Sequence, residues 1–192
     1  MNNKVSGFVF GDTETSGLSF INTNVIQVGL IAEDEDLQYI SKLDLNINIP
    51  IDADWDLGAE EVHGISRETA LVHGVSQKEA VLEINSFMDR NFGKRAKKTM
   101  LVGANSYFDY VMLQNMYEKN DAGNSPWGYR LFDIGQAGLM IGKGNSLNKV
   151  LDSFGIEIDP AQAHNASYDA QLHRMAFHAL DTEYQKNGLS FF

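Results

Sequence analysis

Asp12 and Glu14 stand two residues apart at the end of an apolar run, Phe8-Val9-Phe10-Gly11-Asp12-Thr13-Glu14-Thr15-Ser16-Gly17-Leu18. On a strand, alternation sets both carboxylates on one face, close enough to repel each other in a low dielectric. Water, a basic side chain or a divalent cation must offset that repulsion. Two more carboxylates fall where helices should begin, Asp109 in Asn105-Ser106-Tyr107-Phe108-Asp109 and Asp169 five residues after His164. Each has a plain structural explanation when taken singly. An Asp in a first turn complements the helix macrodipole by a few tenths to about 1 kcal/mol. Asp12 and Glu14 suit a turn before Gly17, and His164 suits a surface position. Their shared placement at strand ends and helix starts points beyond structure.

The elements that must position these residues follow from hydrophobic periodicity. Residues 5–11, 24–33 and 38–48 read as three strands of an antiparallel meander, which Pro50 and the acidic stretch 51–58 end. Ser66 with Glu68, and Ser76 with Glu79 at the capping-box spacing, mark helix starts. Residues 99–105 read as a strand, 106–120 as a helix, 129–135 as a strand, 146–156 as a helix, and the chain closes with a helix from about 166. The pattern predicts an α/β fold, a mixed sheet flanked by helices, in a single domain spanning 1–192.

Composition narrows the function classes. The chain has 192 residues, no cysteine and a formal charge of −11, which rules out disulfides and thiolate metal sites. No apolar stretch approaches the roughly 20 residues that span a bilayer, and the polar start Met1-Asn2-Asn3-Lys4 carries no signal-peptide pattern, so the expected location is cytoplasmic, without membrane association. The acidic balance argues against broad phosphate-coating surfaces. Lys94, Arg95, Lys97 and Lys98 form one local basic cluster, read as a solvated loop. Residues 142–146 lack the glycine spacing of a phosphate-cradling loop.

Asp12-Thr13-Glu14, Asn105 through Phe108-Asp109, and His164 followed by Asp169 resemble, in order, the three motifs of the DnaQ-like DEDDh exonucleases. Val62-His63-Gly64-Ile65-Ser66, Phe132-Asp133-Ile134-Gly135 and the stretch 146–156 match intermediate landmarks, so the resemblance covers residues 6–180. The stretch 159–171 is similar to the third motif of family members such as ribonuclease T and the proofreading epsilon subunit of bacterial DNA polymerase III. The resemblance implies a ribonuclease H-like mixed five-stranded sheet and 3'-to-5' exonuclease activity releasing nucleoside 5'-monophosphates from single-stranded DNA or RNA ends.

Phosphodiester hydrolysis needs a deprotonated water and neutralisation of the leaving oxygen, which two divalent ions can supply. Hard oxygen donors suit Mg²⁺ or Mn²⁺, so Asp12, Glu14, Asp109 and Asp169 are the expected ligands. The resemblance implies that Asp12 bridges two ions, with Glu14 and Asp169 completing one and Asp109 holding the other. His164 is the expected general base. Thr13, Thr15 and Ser16 with neighbouring amides are expected on the terminal nucleotide, Leu18 and Phe108 on its base, and Phe20, Trp127 or Tyr129 as further aromatic grips. Asn105 is expected to fix the second-motif loop by hydrogen bonds, His63 and Asp133 to be structural, and His173 to cap or pack. Phe191 and Phe192 suit a homodimer contact. Two alternatives stay open: oligoribonuclease-like degradation of short RNA, and a non-catalytic nucleic-acid or polymerase accessory module.

Overall fold

Strand β1 (Phe8–Thr15) is buried along nearly its whole length, as expected of a central strand covered on both faces. The computed structural model describes residues 5–188, so the Phe191–Phe192 pair lies outside the described residues. β2 (Val25–Glu33) pairs antiparallel with β1 and with β3 (Tyr39–Asn46), whose alternating exposure marks an edge. β4 (Met100–Gly103) and β5 (Leu131–Asp133) add in parallel on the other side of β1, giving the order β3-β2-β1-β4-β5. This is the mixed five-stranded sheet that the sequence predicts.

Alternation along β1 divides the core. Val9 points into a cluster with α3 (Gln77–Phe92) and α4 (Ser106–Lys119), while Phe8 and Phe10 point into one with α5 (Ile134–Met140), α6 (Leu147–Ser153) and α7 (Ala166–Lys186). Ser76 and Glu79 close the expected capping box on α3, and Ser66 caps α2 (Arg67–Val72) by accepting from the Thr69 amide. Among the described residues no helix is long and apolar enough to cross a membrane.

Three local expectations change. β1 extends to Thr15, so the first-motif carboxylates lie inside the strand; pairing with β2 continues to Thr15–Val25 across a bulge after Glu14. The expected strand at 129–135 stops at Asp133, because the Asp133 carboxylate accepts from the Gln136 amide and starts α5. The stretch 51–58, read only as a break, contains the start of α1 (Leu57–His63), capped by Asp56 and closed by Gly64 at φ 70°. The basic cluster forms a 3₁₀ turn, Gly93–Lys98, whose Lys98 carbonyl accepts from the Ser6 amide just before β1. That places it at the opposite end of the sheet from Asp12 and Glu14.

Candidate active site

The far end of β1 carries Asp12 and Glu14 on the face toward α7, and Thr13 on the face toward α4. Thr13 ties α4 to the strand: its amide and hydroxyl both donate to Asp109 Oδ1, at 3.0 and 2.8 Å. Asn105 precedes α4 in the left-handed region at φ 59°, and its amide donates to Asp133 Oδ2 at 2.7 Å. Its side chain makes no capping bond, so the hydrogen bond by which Asn105 holds the second-motif loop comes from its backbone, with Asp133 as the acceptor.

α7 docks on β2 just across from the carboxylates. Gly29, paired with Asp12, lets the helix approach; a Cβ there would run into the Ala166 carbonyl. Gln27, paired with Glu14, accepts from the Ala166 amide at 2.7 Å, and Asn165 caps the helix by accepting from Tyr168. Asp169 thereby faces the strand end. His164 is exposed at φ 62°, and its amide donates to Asp169 Oδ2 at 3.1 Å. Glu14, His164 and Asp169 each present a ligand atom within 4.8 Å of the others.

The cluster is electrostatically unbalanced. Burial, then Asp109, Glu14 and Asp169, push the Asp12 carboxyl well above its ordinary range. Burial, then Asp169 and Asp109, push Glu14 up to about 8. Burial raises Asp109 to about 7 against the opposing hydrogen bonds from Thr13. Burial raises Asp169 as well, opposed by the His164 ring and amide. Among the described residues no Lys or Arg forms an ion pair with any of the four. His173, 1% exposed, does not supply the missing charge. The Ala104 amide donates to its Nε2 at 3.3 Å, so Nδ1 carries the proton and donates to the Gly11 carbonyl at 2.9 Å. Burial holds that imidazole down at about 4, so the 3.9 Å approach of Nε2 to Asp12 Oδ1 is no ion pair. Buried hard-oxygen donors without a protein cation fit divalent metal ions.

Two cavities flank the carboxylates. One, of about 380 Å³, is walled by Thr13, Glu14, Thr15, Leu18, Phe108 and, from α1, Ala59, Val62 and His63. The other, of about 200 Å³, lies beside Asp12, His164, Asp169 and His173. Thr13, Thr15, Leu18 and Phe108 therefore all line one cavity beside the cluster, as their expected contact with a terminal nucleotide requires. The threonine hydroxyls are already engaged, Thr13 with Asp109 and Thr15 with the Gly17 carbonyl, and Ser16 Oγ accepts from the Asn24 amide. Trp127 is buried against Tyr117, which removes it as an aromatic grip. Phe20 instead packs on Phe108 and Tyr107, with ring centroids at 5.8 and 6.3 Å. Sequence reasoning missed Ala59, gave Val62 only as part of a landmark and gave His63 only a structural role; the available signal was the Val62-His63-Gly64 landmark itself.

The family profile RNase_T, described as Exonuclease, matches residues 9–174. Ribonuclease T of Shewanella denitrificans is 29% identical over 182 residues, covering 89% of this chain and 79% of the relative. The 3'-5' DNA exonuclease Cap18 of Escherichia coli is 26% identical over 178 residues, covering 88% and 90%. In fold, the chain superposes on E. coli exonuclease I in its zinc-bound complex with single-stranded DNA, with a TM-score of 0.80 over 94% of this chain at 20% identity. It spans 41% of that protein's length. With the profile running from β1 into α7 across every residue of the acidic cluster, the chain belongs to the exonuclease family, as a DnaQ-like 3'-to-5' exonuclease on the ribonuclease H-like fold.

Proposed function

We propose that this protein hydrolyses the terminal phosphodiester of single-stranded DNA or RNA from the 3' end, releasing nucleoside 5'-monophosphates with two Mg²⁺ or Mn²⁺ ions. The observation that carries the reading is the convergence of Asp12, Glu14, Asp109 and Asp169 with no Lys or Arg of the described residues paired to them. These four would hold the ions, whose chemistry is to activate the attacking water and neutralise charge on the leaving oxygen.

The remaining work falls to the chain's own residues. His164, exposed and within reach of Glu14 and Asp169, takes the proton of the attacking water. The cavity of about 380 Å³ has the size of a small-ligand site and receives the terminal nucleoside between Leu18, Val62 and Phe108. Stacking on such walls is worth about 1–3 kcal/mol per base and reads no sequence. A paired duplex end cannot offer its last base to this cavity without unpairing, which favours single strands. Because the Thr13 and Thr15 hydroxyls donate internally, toward the terminal nucleotide they act only as acceptors, beside the neighbouring backbone.

The test is digestion of matched end-labelled single-stranded DNA and RNA with Mg²⁺ by wild type, Asp12→Ala and His164→Ala. Asp12→Ala should abolish mononucleotide release, and His164→Ala should slow it by about 10²–10⁴, the range for a general base. Normal digestion by Asp12→Ala refutes the reading.

A further inference from the structure

His173 is one helical turn beyond Asp169 on α7, so it points to the same side of the helix and reaches the sheet beneath it. Its ring has two nitrogens and both are engaged, each with a different segment. Nδ1 donates to the carbonyl of Gly11, the residue before Asp12. Nε2 accepts from the amide of Ala104, in the turn that leads from β4 through Asn105 into α4 and Asp109. One buried side chain thus ties together the three segments that bear Asp12, Asp109 and Asp169.

Thr13 already ties β1 to α4 through Asp109, and Gln27 ties β2 to the start of α7, but neither bond joins all three segments. β1 and β4 pair only from Phe8–Met100 to Phe10–Val102, so the ladder ends before Asp12 and before Ala104. Beyond that point the Gly11 carbonyl and the Ala104 amide each bond to the His173 ring instead of extending the ladder. The imidazole pairs both groups, an acceptor that is buried and a donor that is half-buried. Its ring is rigid, so it fixes a spacing as well as pairing two groups.

We propose that His173 is a positioning residue that sets the relative placement of Asp12, Asp109 and Asp169 by bridging Gly11 and Ala104 from α7. The proposal rests on the metal-binding role proposed for those carboxylates. Its function is geometric: the Nε2 lone pair is committed to Ala104, so the ring is neither a ligand nor a proton carrier. Two-ion sites tolerate little error in ligand placement, which is why an outer bridge of this kind matters to affinity.

The experiment compares wild type, His173→Gln, His173→Leu and Asp12→Asn for Mn²⁺ affinity by calorimetry, and for kcat and KM on a labelled single strand. Glutamine keeps one donor and one acceptor, whereas leucine keeps the volume alone. His173→Leu should weaken Mn²⁺ binding about 10- to 100-fold, the range for losing a group that orients metal ligands. It should lower kcat more than it raises KM, while His173→Gln recovers most of both. Wild-type affinity in His173→Leu, or equal loss in the Gln and Leu variants, overturns the bridging role. Should His173→Leu fail to fold, nitrogen NMR of the wild-type imidazole decides: a proton on Nδ1, unmoved by Mg²⁺, supports the bridge, and a proton on Nε2 or a metal-induced shift overturns it. Wild-type Mn²⁺ binding by Asp12→Asn would instead overturn the metal reading, and this inference with it.

Discussion

Raising the pH through neutrality in a chelator should destabilise this protein, and divalent metal should cancel the loss. Glu14 carries the argument, because burial beside Asp169 and Asp109 lifts its carboxyl from 4.5 to about 8. The folded state therefore keeps a proton that the unfolded chain has released, and stability falls as pH rises from about 4.5 through about 8. His173 has the opposite sign: its contribution is present above 6.5 and lost as pH falls toward about 4. The window above 6.5 thus isolates the carboxylates. At about 1.36 kcal/mol per pH unit for each retained proton, Glu14 alone costs about 2 kcal/mol between pH 6.5 and 8. For a chain of this size that is a drop of roughly 4–8 °C in Tm. Differential scanning calorimetry in chelator and in excess Mn²⁺ measures both curves. The metal-free Tm should fall across the window, the metal-loaded Tm should fall less, and Glu14→Gln should flatten the metal-free slope. A metal-free Tm that is level or rising from pH 6.5 to 8 would refute the picture of buried, mutually repelling carboxylates.

Thr13→Val removes the hydroxyl bond to Asp109 but leaves the amide bond, so it should cost about 1 kcal/mol in unfolding free energy and raise the Mg²⁺ concentration for half-maximal activity. Urea denaturation and a Mg²⁺ titration read the two effects. Gly29→Ala drives a methyl against the Ala166 carbonyl where α7 meets β2; it should destabilise the fold by about 1–3 kcal/mol and weaken Mn²⁺ binding, checked by melting and calorimetry. The cavity proposed for the terminal nucleoside is lined by Glu14 and Asp56 and by no Lys or Arg, so a strand ending in a 3'-phosphate should be digested at least roughly tenfold more slowly than the same strand ending in a hydroxyl. Equal rates on the two ends would show that the terminus lies elsewhere.

What could be read from the sequence, and what could not, divides along the range of the interaction involved. Asp12 and Glu14 were legible because strand alternation is local, and Asp109 and Asp169 because an Asp in a helix's first turn is a local pattern. The five strands were legible too, since most are apolar runs, although the ends of β1 and β5 were not. α1 was not: none of its seven residues is buried, so it has no apolar stripe to detect. It is placed by a few local contacts, the Asp56 amide donating to the Ser16 carbonyl at its start and Trp55 donating to Glu60 and packing on His63. Yet it supplies Ala59, Val62 and His63 to the cavity wall. Trp127 failed for the converse reason, since only the packing of its loop on Tyr117 decides that a loop aromatic is buried. His173 shows the same limit at the centre of the site. Its spacing from Asp169 predicts a shared helix face, but its partners, Gly11 and Ala104, are 162 and 69 residues away and expose only backbone. A backbone carbonyl or amide leaves no mark on residue identity, so a side chain whose work is to bridge two of them is invisible until the fold brings them together.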